Sequence, residues 1–217
     1  MAVMQQANSY AQAKMKHTII STLFFLLTTF AFGQLNSNLS KQLDSLVTID
    51  QKWRGLIRQV NNKEIDTISG DIVVNKIRET DSLNFLQIKK LFDNYGYLGY
   101  DKVGKESSHN FWLLIQHADK YPSFQDSVLT KMKLEADKGN ASLLDYAYLV
   151  DRVKVNTGQL QIYGTQMKLN STKTSYETKP TLEPDKLNEK RKQVGLPPIE
   201  DYIKTMNERY YGDLNKN

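Results

Sequence analysis

The chain has 217 residues and a formal net charge of +5, with 29 Lys and Arg, 24 Asp and Glu, and no cysteine. A chain without cysteine has no disulfide, no lipidated cysteine and no thiolate zinc site, so its stability depends on packing alone. The first 33 residues hold two of the basic residues and none of the acidic ones, which leaves +3 for the rest, a balance too even to indicate nucleic-acid binding.

The N-terminal segment has the pattern of a secretory signal peptide. Lys14 and Lys16 precede an apolar run over 19–32, and Ala31 and Gly33 are the small residues expected before a cleavage site. The run is shorter than the about 20 residues of a membrane helix. We therefore expect no stable membrane anchor after cleavage near Gly33, and a secreted or periplasmic protein.

The mature chain is predicted to begin at Gln34 and to form one domain, 34–217. Met15 stands directly before the basic end of the signal peptide, which indicates that translation starts there and that residues 1–14 are an upstream mis-start.

The spacing of apolar residues predicts a mostly helical mature chain. The predicted helices cover 40–60, 71–80, 81–95, 107–120, 123–138, 142–155, 183–194 and 199–210. Asp81 and Ser82 offer an N-cap for the third helix, the glycine-rich stretch 96–104 breaks the pattern, and near-alternation within 159–181 indicates a β-hairpin. The predicted fold class is mainly α: a single compact helical domain with one small β-hairpin near the C-terminal third.

Two charged residues, Asp50 and Arg54, interrupt the apolar stripe of the first predicted helix. The stripe comprises Leu43, Leu46, Val47, Trp53 and Ile57. Burying a carboxylate and a guanidinium costs several kcal/mol per ion unless hydrogen bonds and counter-charges offset it. We therefore expect both side chains to be largely inaccessible and bonded to other helices, with Asp151 or Arg191 as partners.

The fourth predicted helix carries the densest set of reactive side chains. His109, Gln116 and Asp119 share one face with Trp112, and His117 projects about 80° away from His109. Either imidazole is a candidate general base, with Asp119 as an orienting acid. The alternative is a hydrogen-bonded structural histidine. The spacing matches no metal signature, so no metal site is predicted.

The sixth predicted helix and the segment after it supply a second polar group. Asp151 lies near the buried side and is a further catalytic candidate, whereas Arg152 points away; Arg54, Arg152 or Arg191 would supply the counter-charge. A structural ion network is the alternative. Gln161, Tyr163, Thr165 and Gln166 then offer amides, a phenol and a hydroxyl, which suit either a polar ligand or a hydrogen-bonded turn.

Short motifs in chain order resemble a bacterial domain-of-unknown-function family. They comprise Asp50, Gln51 and Arg54; Gln116, His117, Ala118 and Asp119; Ala147, Tyr148, Leu149, Asp151 and Arg152; Gln161, Tyr163, Gly164, Thr165 and Gln166; and Arg191, Gly195 and Leu196. Its Gln-His-Ala-Asp helix, Asp-Arg helix end and Tyr-Gly-Thr-Gln turn span almost the whole mature chain. The resemblance implies a largely helical, frequently secreted domain, and it implies no activity.

Two classes of function are compatible with these residues. The first is an extracytoplasmic binding or interaction module for a small polar ligand or a protein; the second is a hydrolase-like enzyme with a His/carboxylate site. The expected ligand-binding residues are Asp50, Arg54, Gln116, His117, Asp151, Arg152, Gln161, Tyr163, Thr165, Gln166 and Arg191. No cofactor is predicted. We expect Gln116, His117, Asp151, Arg152 and the turn 163–166 to converge on one polar pocket.

Overall fold

Seven α-helices and one two-stranded sheet make up the computed structural model, which describes residues 35–172 and 174–211. In chain order they are α1 (Ser37–Asn61), α2 (Gly70–Tyr95), α3 (Tyr100–Gln116), α4 (Pro122–Asp137), α5 (Leu143–Asn156), β1 (Met167–Leu169), β2 (Tyr176–Thr178), a 3-10 turn (Pro184–Lys186), α6 (Leu187–Gln193) and α7 (Ile199–Tyr211). The predicted fold class is confirmed. The predicted signal peptide lies outside the described residues.

Polar side chains fix where several helices begin. The Asn36 side chain accepts a hydrogen bond from the Leu39 amide at 3.1 Å, and Ser142 Oγ accepts one from the Asp145 amide at 3.0 Å. Each satisfies one of the backbone N–H groups that a helix leaves unpaired in its first turn. The starts of α1 and α5 are therefore encoded locally.

The prediction of two helices over 71–95 is wrong, because α2 is continuous from Gly70 to Tyr95. Asp81 and Ser82 do not cap a helix. Ser82 Oγ donates to the Arg78 carbonyl oxygen, 2.8 Å away and one turn earlier, and the Asp81 carboxylate accepts from Arg54 on α1. Both side chains thus have partners other than the backbone N–H groups that an N-cap residue accepts from, so they do not begin a new helix.

Helix α3 begins within the glycine-rich stretch 96–104, earlier in the chain than predicted. Helix α3 starts at Tyr100 rather than near Ser107, with a kink at Gly104, whose φ is 80°. Asn140, before α5, supports this start: its carbonyl oxygen accepts from the Tyr100 amide at 2.9 Å and its Oδ1 from the Asp101 amide at 2.8 Å. A partner distant in sequence therefore replaces a local cap.

The C-terminal part contains the predicted hairpin. Strands β1 and β2 are antiparallel, with Met167 opposite Thr178, and α7 packs against β2. The predicted helix over 183–194 is shorter: it opens as the 3-10 turn, and α6 begins only at Leu187. Pro184 lacks an amide hydrogen, which suits it to a first turn but not to a helix interior.

The main hydrophobic core lies between α1, α2, α3, α4 and α5. Its fully inaccessible members include Leu43, Ile88, Leu98, Phe111, Ile115, Val128, Met132 and Leu149. A smaller cluster of Ala147, Val194 and Leu196 joins α5 to the segment around α6. Within the described residues, none of the helices combines the length and the apolarity that crossing a membrane requires.

Candidate functional site

Asp50 is the fully buried centre of a polar cluster in the main core. Its Oδ1 accepts hydrogen bonds from Arg54 Nη1 at 2.7 Å and from His117 Nδ1 at 3.1 Å, and its Oδ2 accepts one from Gln51 Nε2 at 2.7 Å. The helical stripe predicted this burial, and the prediction is confirmed. Three donors offset the cost of removing the carboxylate from water.

Arg54 connects two carboxylates that belong to different helices. One turn after Asp50 on α1, it donates through Nη1 to Asp50 and through Nη2 to Asp81 Oδ1 on α2, at 2.7 and 2.8 Å. Its side chain is 23% exposed, so it is partly rather than fully inaccessible. The prediction that Asp151 or Arg191 is the partner is wrong: outside α1, the described contacts of Asp50 and Arg54 are with Asp81 and His117.

His117 lies at the end of α3, where the chain leaves the helix. Because Nδ1 faces the Asp50 carboxylate, the neutral imidazole is assigned the tautomer with the proton on Nδ1. The other ring nitrogen, Nε2, then carries a lone pair, and no described residue bonds to it. A buried carboxylate behind an imidazole orients the ring and leaves one nitrogen for another group.

This imidazole forms part of the wall of a pocket of about 120 Å³, here called the His117 pocket. The pocket lies between α2 and the connection from α3 to α4, and its lining is Arg78, Asp81, Ser82, His117, Ala118, Asp119, Lys120 and Tyr121. The Tyr121 ring stacks on Phe85, with centroids 3.4 Å apart, which fixes one side of the pocket. The space suits a small ligand or part of a larger one.

Asp119, on the rim of this pocket, is held by α5. Arg152 donates to its two oxygens from Nε and Nη2, at 2.7 and 2.6 Å, and Asn156 Nδ2 donates at 2.8 Å. The two parallel bonds form a bidentate pair, the strongest geometry available to a guanidinium and a carboxylate. Arg152 therefore fixes the loop beside His117, although it does not line the pocket.

Asp151 belongs to a different network. Its carboxylate is fully buried, as predicted, and accepts hydrogen bonds from the amides of Ile162, Tyr163 and Thr165 and from Thr165 Oγ1, at 2.7 to 3.1 Å. The expected direct contact with an arginine is wrong, because backbone amides and the Thr165 hydroxyl donate these hydrogen bonds; Arg191 interacts with Asp151 only through its charge. This carboxylate holds the turn after α5 in place.

The remaining residues of the turn mostly bind one another. Gln161 Nε2 donates to the carbonyl oxygens of Gln166 and Lys179 at 3.1 and 2.7 Å, and Gln161 Oε1 accepts from the Gln166 amide at 2.9 Å. Gln166 Nε2 donates to Thr165 Oγ1 at 3.1 Å. These amides are used within the turn, as the hydrogen-bonded-turn alternative predicts.

Arg191 on α6 is fully buried beside this turn. It donates from Nη1 to the Tyr163 carbonyl oxygen at 2.6 Å and from Nε to the Pro197 carbonyl oxygen at 2.7 Å, and it lies over the Tyr202 ring. Its Nη2 has no hydrogen-bond partner among the described residues. Burial lowers the pKa of this guanidinium from its ordinary value.

His109 pairs with a carboxylate of its own. Its Nδ1 lies 2.9 Å from Asp145 Oδ2 on α5, and its ring is tilted over Trp112 at a centroid distance of 4.8 Å. The hydrogen bond that the imidazole donates to the Asp145 carboxylate raises the pKa of His109. The imidazole is 52% exposed, and His109 is not among the residues that line the His117 pocket.

The predicted site residues therefore divide into separate hydrogen-bond networks rather than one. Asp50, Arg54 and His117 form the first network. These three residues and Asp81 are together called the Asp50 cluster. Asp151, Arg191 and the turn form another, and Arg152 binds Asp119. The Gln116 carbonyl oxygen is a distant acceptor for Gln125 Nε2 at 3.5 Å.

Sequence reasoning missed Asp81 and the pocket residues Arg78, Ser82, Lys120 and Tyr121. Arg78, Asp81 and Ser82 do carry a signal, since positions i, i+3 and i+4 of a helix share a face. Polar residues on an exposed helix face are ordinary, however, and this set is distinguished only by the packing of α2 against the connection after α3 and, at Asp81, against α1.

The Asp50 cluster contains donor atoms of the kind that bind metal ions. One atom each from Asp50, Asp81 and His117 lies within 4.8 Å of the others. Arg54 already bridges the two carboxylates, so its guanidinium supplies the positive charge that a metal would bring, and a metal ion would have to displace it.

Comparison with known proteins gives one family. No curated protein and no solved structure matches the chain. The model of a family of unknown function, DUF6624, matches residues 37–215, which include the Asp50 cluster, the His117 pocket and the turn after α5. The match covers nearly all of the described fold, and the chain belongs to the family of unknown function DUF6624.

Proposed function

We propose that this protein is an extracytoplasmic binding module that takes a small polar ligand into the His117 pocket. The observation that carries the proposal is the His117 imidazole, which a fully buried Asp50 anchors from behind and which forms part of the pocket wall. The imidazole is held in one orientation, and no described residue bonds to its Nε2 atom. It is therefore already oriented for binding before a ligand arrives.

The cost of the Asp50 cluster supports the same proposal. Buried ion pairs add little to stability compared with well-packed apolar side chains of the same volume, because desolvation offsets most of the attraction. Asp50, Arg54 and Asp81 form such a group, and Asp81 and His117, which both contact it, line a pocket. A ligand-binding role explains why these charged residues are present, whereas their contribution to stability does not.

A second candidate function is hydrolysis, which the contact between Asp50 and His117 favours. In that case His117 Nε2 would accept a proton from a water molecule whose oxygen attacks the ligand, and would return the proton to the leaving group. Asp50 would hold the imidazole in position and stabilise its charged form. His109 is the weaker base candidate, since its ring is half exposed and does not line the pocket.

A thermal-shift screen of the full chain against metals, sugars, peptides and nucleotides tests the binding proposal, because a ligand that binds the folded state raises its apparent stability. We expect His117→Gln to lose the shift produced by a hit. The matched control is His109→Gln, which should keep it. A shift retained in His117→Gln would contradict the proposed location, and turnover of a hit that is lost in His117→Gln would favour the hydrolase.

We also propose that the protein is exported. The basic segment, the short apolar run and the small residues before Gln34 support cleavage there. N-terminal sequencing of the native protein is the test, and we expect the mature chain to begin near Gln34. Recovery of a chain that retains residues 19–32 would contradict the proposal.

A further inference from the structure

The acidic side chains of the His117 pocket already have cationic partners. Asp81 Oδ1 accepts from Arg54 Nη2 at 2.8 Å, and both oxygens of Asp119 accept from Arg152. Each carboxylate that lines the pocket is thus paired with an arginine that does not line it. These two acids therefore leave little negative potential to attract a cationic ligand.

The basic side chains of the pocket have no such partner. Among the described residues, neither Arg78 nor Lys120 forms an ion pair, and the weak contact of Arg78 is with the neutral Asn75 side chain at 3.5 Å. The pocket lining and its direct ionic partners comprise four cationic side chains and three carboxylates when Asp50 is included. The balance is positive even with His117 neutral.

The two unpaired cations come from opposite sides of the pocket. Arg78 lies on α2, one turn before Asp81, and Lys120 lies in the connection that follows His117. The side chains of Arg78 and Lys120 are long and exposed, so they can reach a group bound between them. His117, whose imidazole is fixed by Asp50, lines the same pocket.

We infer that the ligand of the His117 pocket carries an anionic group, a carboxylate or a phosphate, that Arg78 and Lys120 hold beside His117. The inference rests on the proposed binding function and specifies the class of its ligand. Charge-assisted hydrogen bonds from a guanidinium and an ammonium recognise both kinds of anion. Neutral analogues of the same shape lack these bonds and bind more weakly.

The histidine ring signals in NMR spectra of the full chain provide the test. The chain has three histidines, so the ring signals can be assigned with His→Gln variants, and His109 serves as an internal control. The probes are succinate, its neutral analogue succinamide and inorganic phosphate, at constant ionic strength and at about pH 8, where an ordinary imidazole is neutral. Succinate and phosphate distinguish a carboxylate ligand from a phosphate ligand.

We expect succinate, phosphate or both to shift the His117 signals in a saturable way while the His109 signals stay in place. Arg78→Gln combined with Lys120→Gln should weaken this binding by about tenfold or more. The matched control is Arg209→Gln combined with Lys131→Gln, two exposed cations outside the pocket, which should leave the affinity unchanged.

Three results would overturn the inference. Equal shifts with succinamide and succinate, or an unchanged affinity in the double variant at Arg78 and Lys120, would show that the pocket does not select an anion; the binding proposal would then still stand. The absence of any His117 shift with all three probes would also overturn the inference. If the thermal-shift screen gives no hit either, the proposed binding function is overturned as well.

Discussion

Oδ1 of Asp50 lies 3.1 Å from Nδ1 of His117, although the two residues are 67 positions apart in the chain. Asp50 lies in the middle of α1 and His117 directly follows α3, so this contact exists only when the two helices pack together. Arg54 adds α2 to the same cluster through Asp81. The site therefore depends on the packing of three helices, and its integrity can be measured through stability.

Replacing Arg54 by Ala should destabilise the protein by about 3 kcal/mol, at the lower end of the range for a broken buried ion pair. The buried Asp50 would lose one of its donors and its nearest positive charge, while partial exposure of the site allows some water to enter. Chemical denaturation measures the change. Arg58→Ala, an exposed arginine one turn later on α1, is the control, and it should change the free energy of unfolding by under about 1 kcal/mol. Equal effects would show that the Asp50 cluster is not buried in solution.

Asp151→Asn should destabilise the protein by about 2–4 kcal/mol. An asparagine side chain offers one acceptor oxygen in place of two, and its NH₂ group would face the amides of Ile162, Tyr163 and Thr165. We also expect hydrogen exchange at those three amides to accelerate. Unchanged exchange at these amides would contradict the assigned role of Asp151.

The contact between His109 and Asp145 should make stability depend on pH. The pKa of His109 is raised in the folded state, so the stabilisation is fully present below the ordinary histidine value of about 6.5 and is lost as pH rises through the raised value. We expect His109→Gln to cost more at about pH 5 than at about pH 8.5, with a difference below about 1 kcal/mol because the ring is half exposed. Chemical denaturation at the two pH values measures it.

The same substitution in an Asp145→Asn background provides the control. Without the Asp145 carboxylate, His109→Gln should have the same effect at both pH values. A pH dependence that persists in the Asp145→Asn background would assign it to another group.

Two glycines should respond to alanine in opposite directions. A Cβ atom at Gly99 would lie 2.8 Å from the Asn140 carbonyl oxygen and would also collide with the Asn140 side chain, which supports the start of α3. Gly99→Ala should therefore destabilise by about 1–3 kcal/mol. Gly55, inside α1, has nothing within 4 Å of such an atom, and Gly55→Ala should stabilise by about 0.5–1 kcal/mol. Chemical denaturation measures the change in the free energy of unfolding of both variants. Changes of the same sign would contradict the packing of Gly99 against Asn140.

Helical periodicity in the sequence was enough to predict that Asp50 and Asp151 are buried, because a polar residue within an apolar stripe faces the core together with its neighbours. The helical fold class and the small hairpin followed from the same periodicities, and capping residues such as Ser142 marked helix starts. These properties depend on residues close together in the chain, so the sequence alone determined them.

The partners of the buried charges were decided only by the tertiary structure. Asp81 looks like a helix cap in the sequence, and it binds Arg54 because α1 lies beside α2. Asp151 accepts hydrogen bonds from backbone amides. Every residue except proline carries such an amide, so the residue types in the sequence could not predict this contact. The His117 pocket, likewise, exists only where α2 meets the connection after α3. Periodicity tells which side chains point inward, whereas the packing of distant segments selects what they meet there.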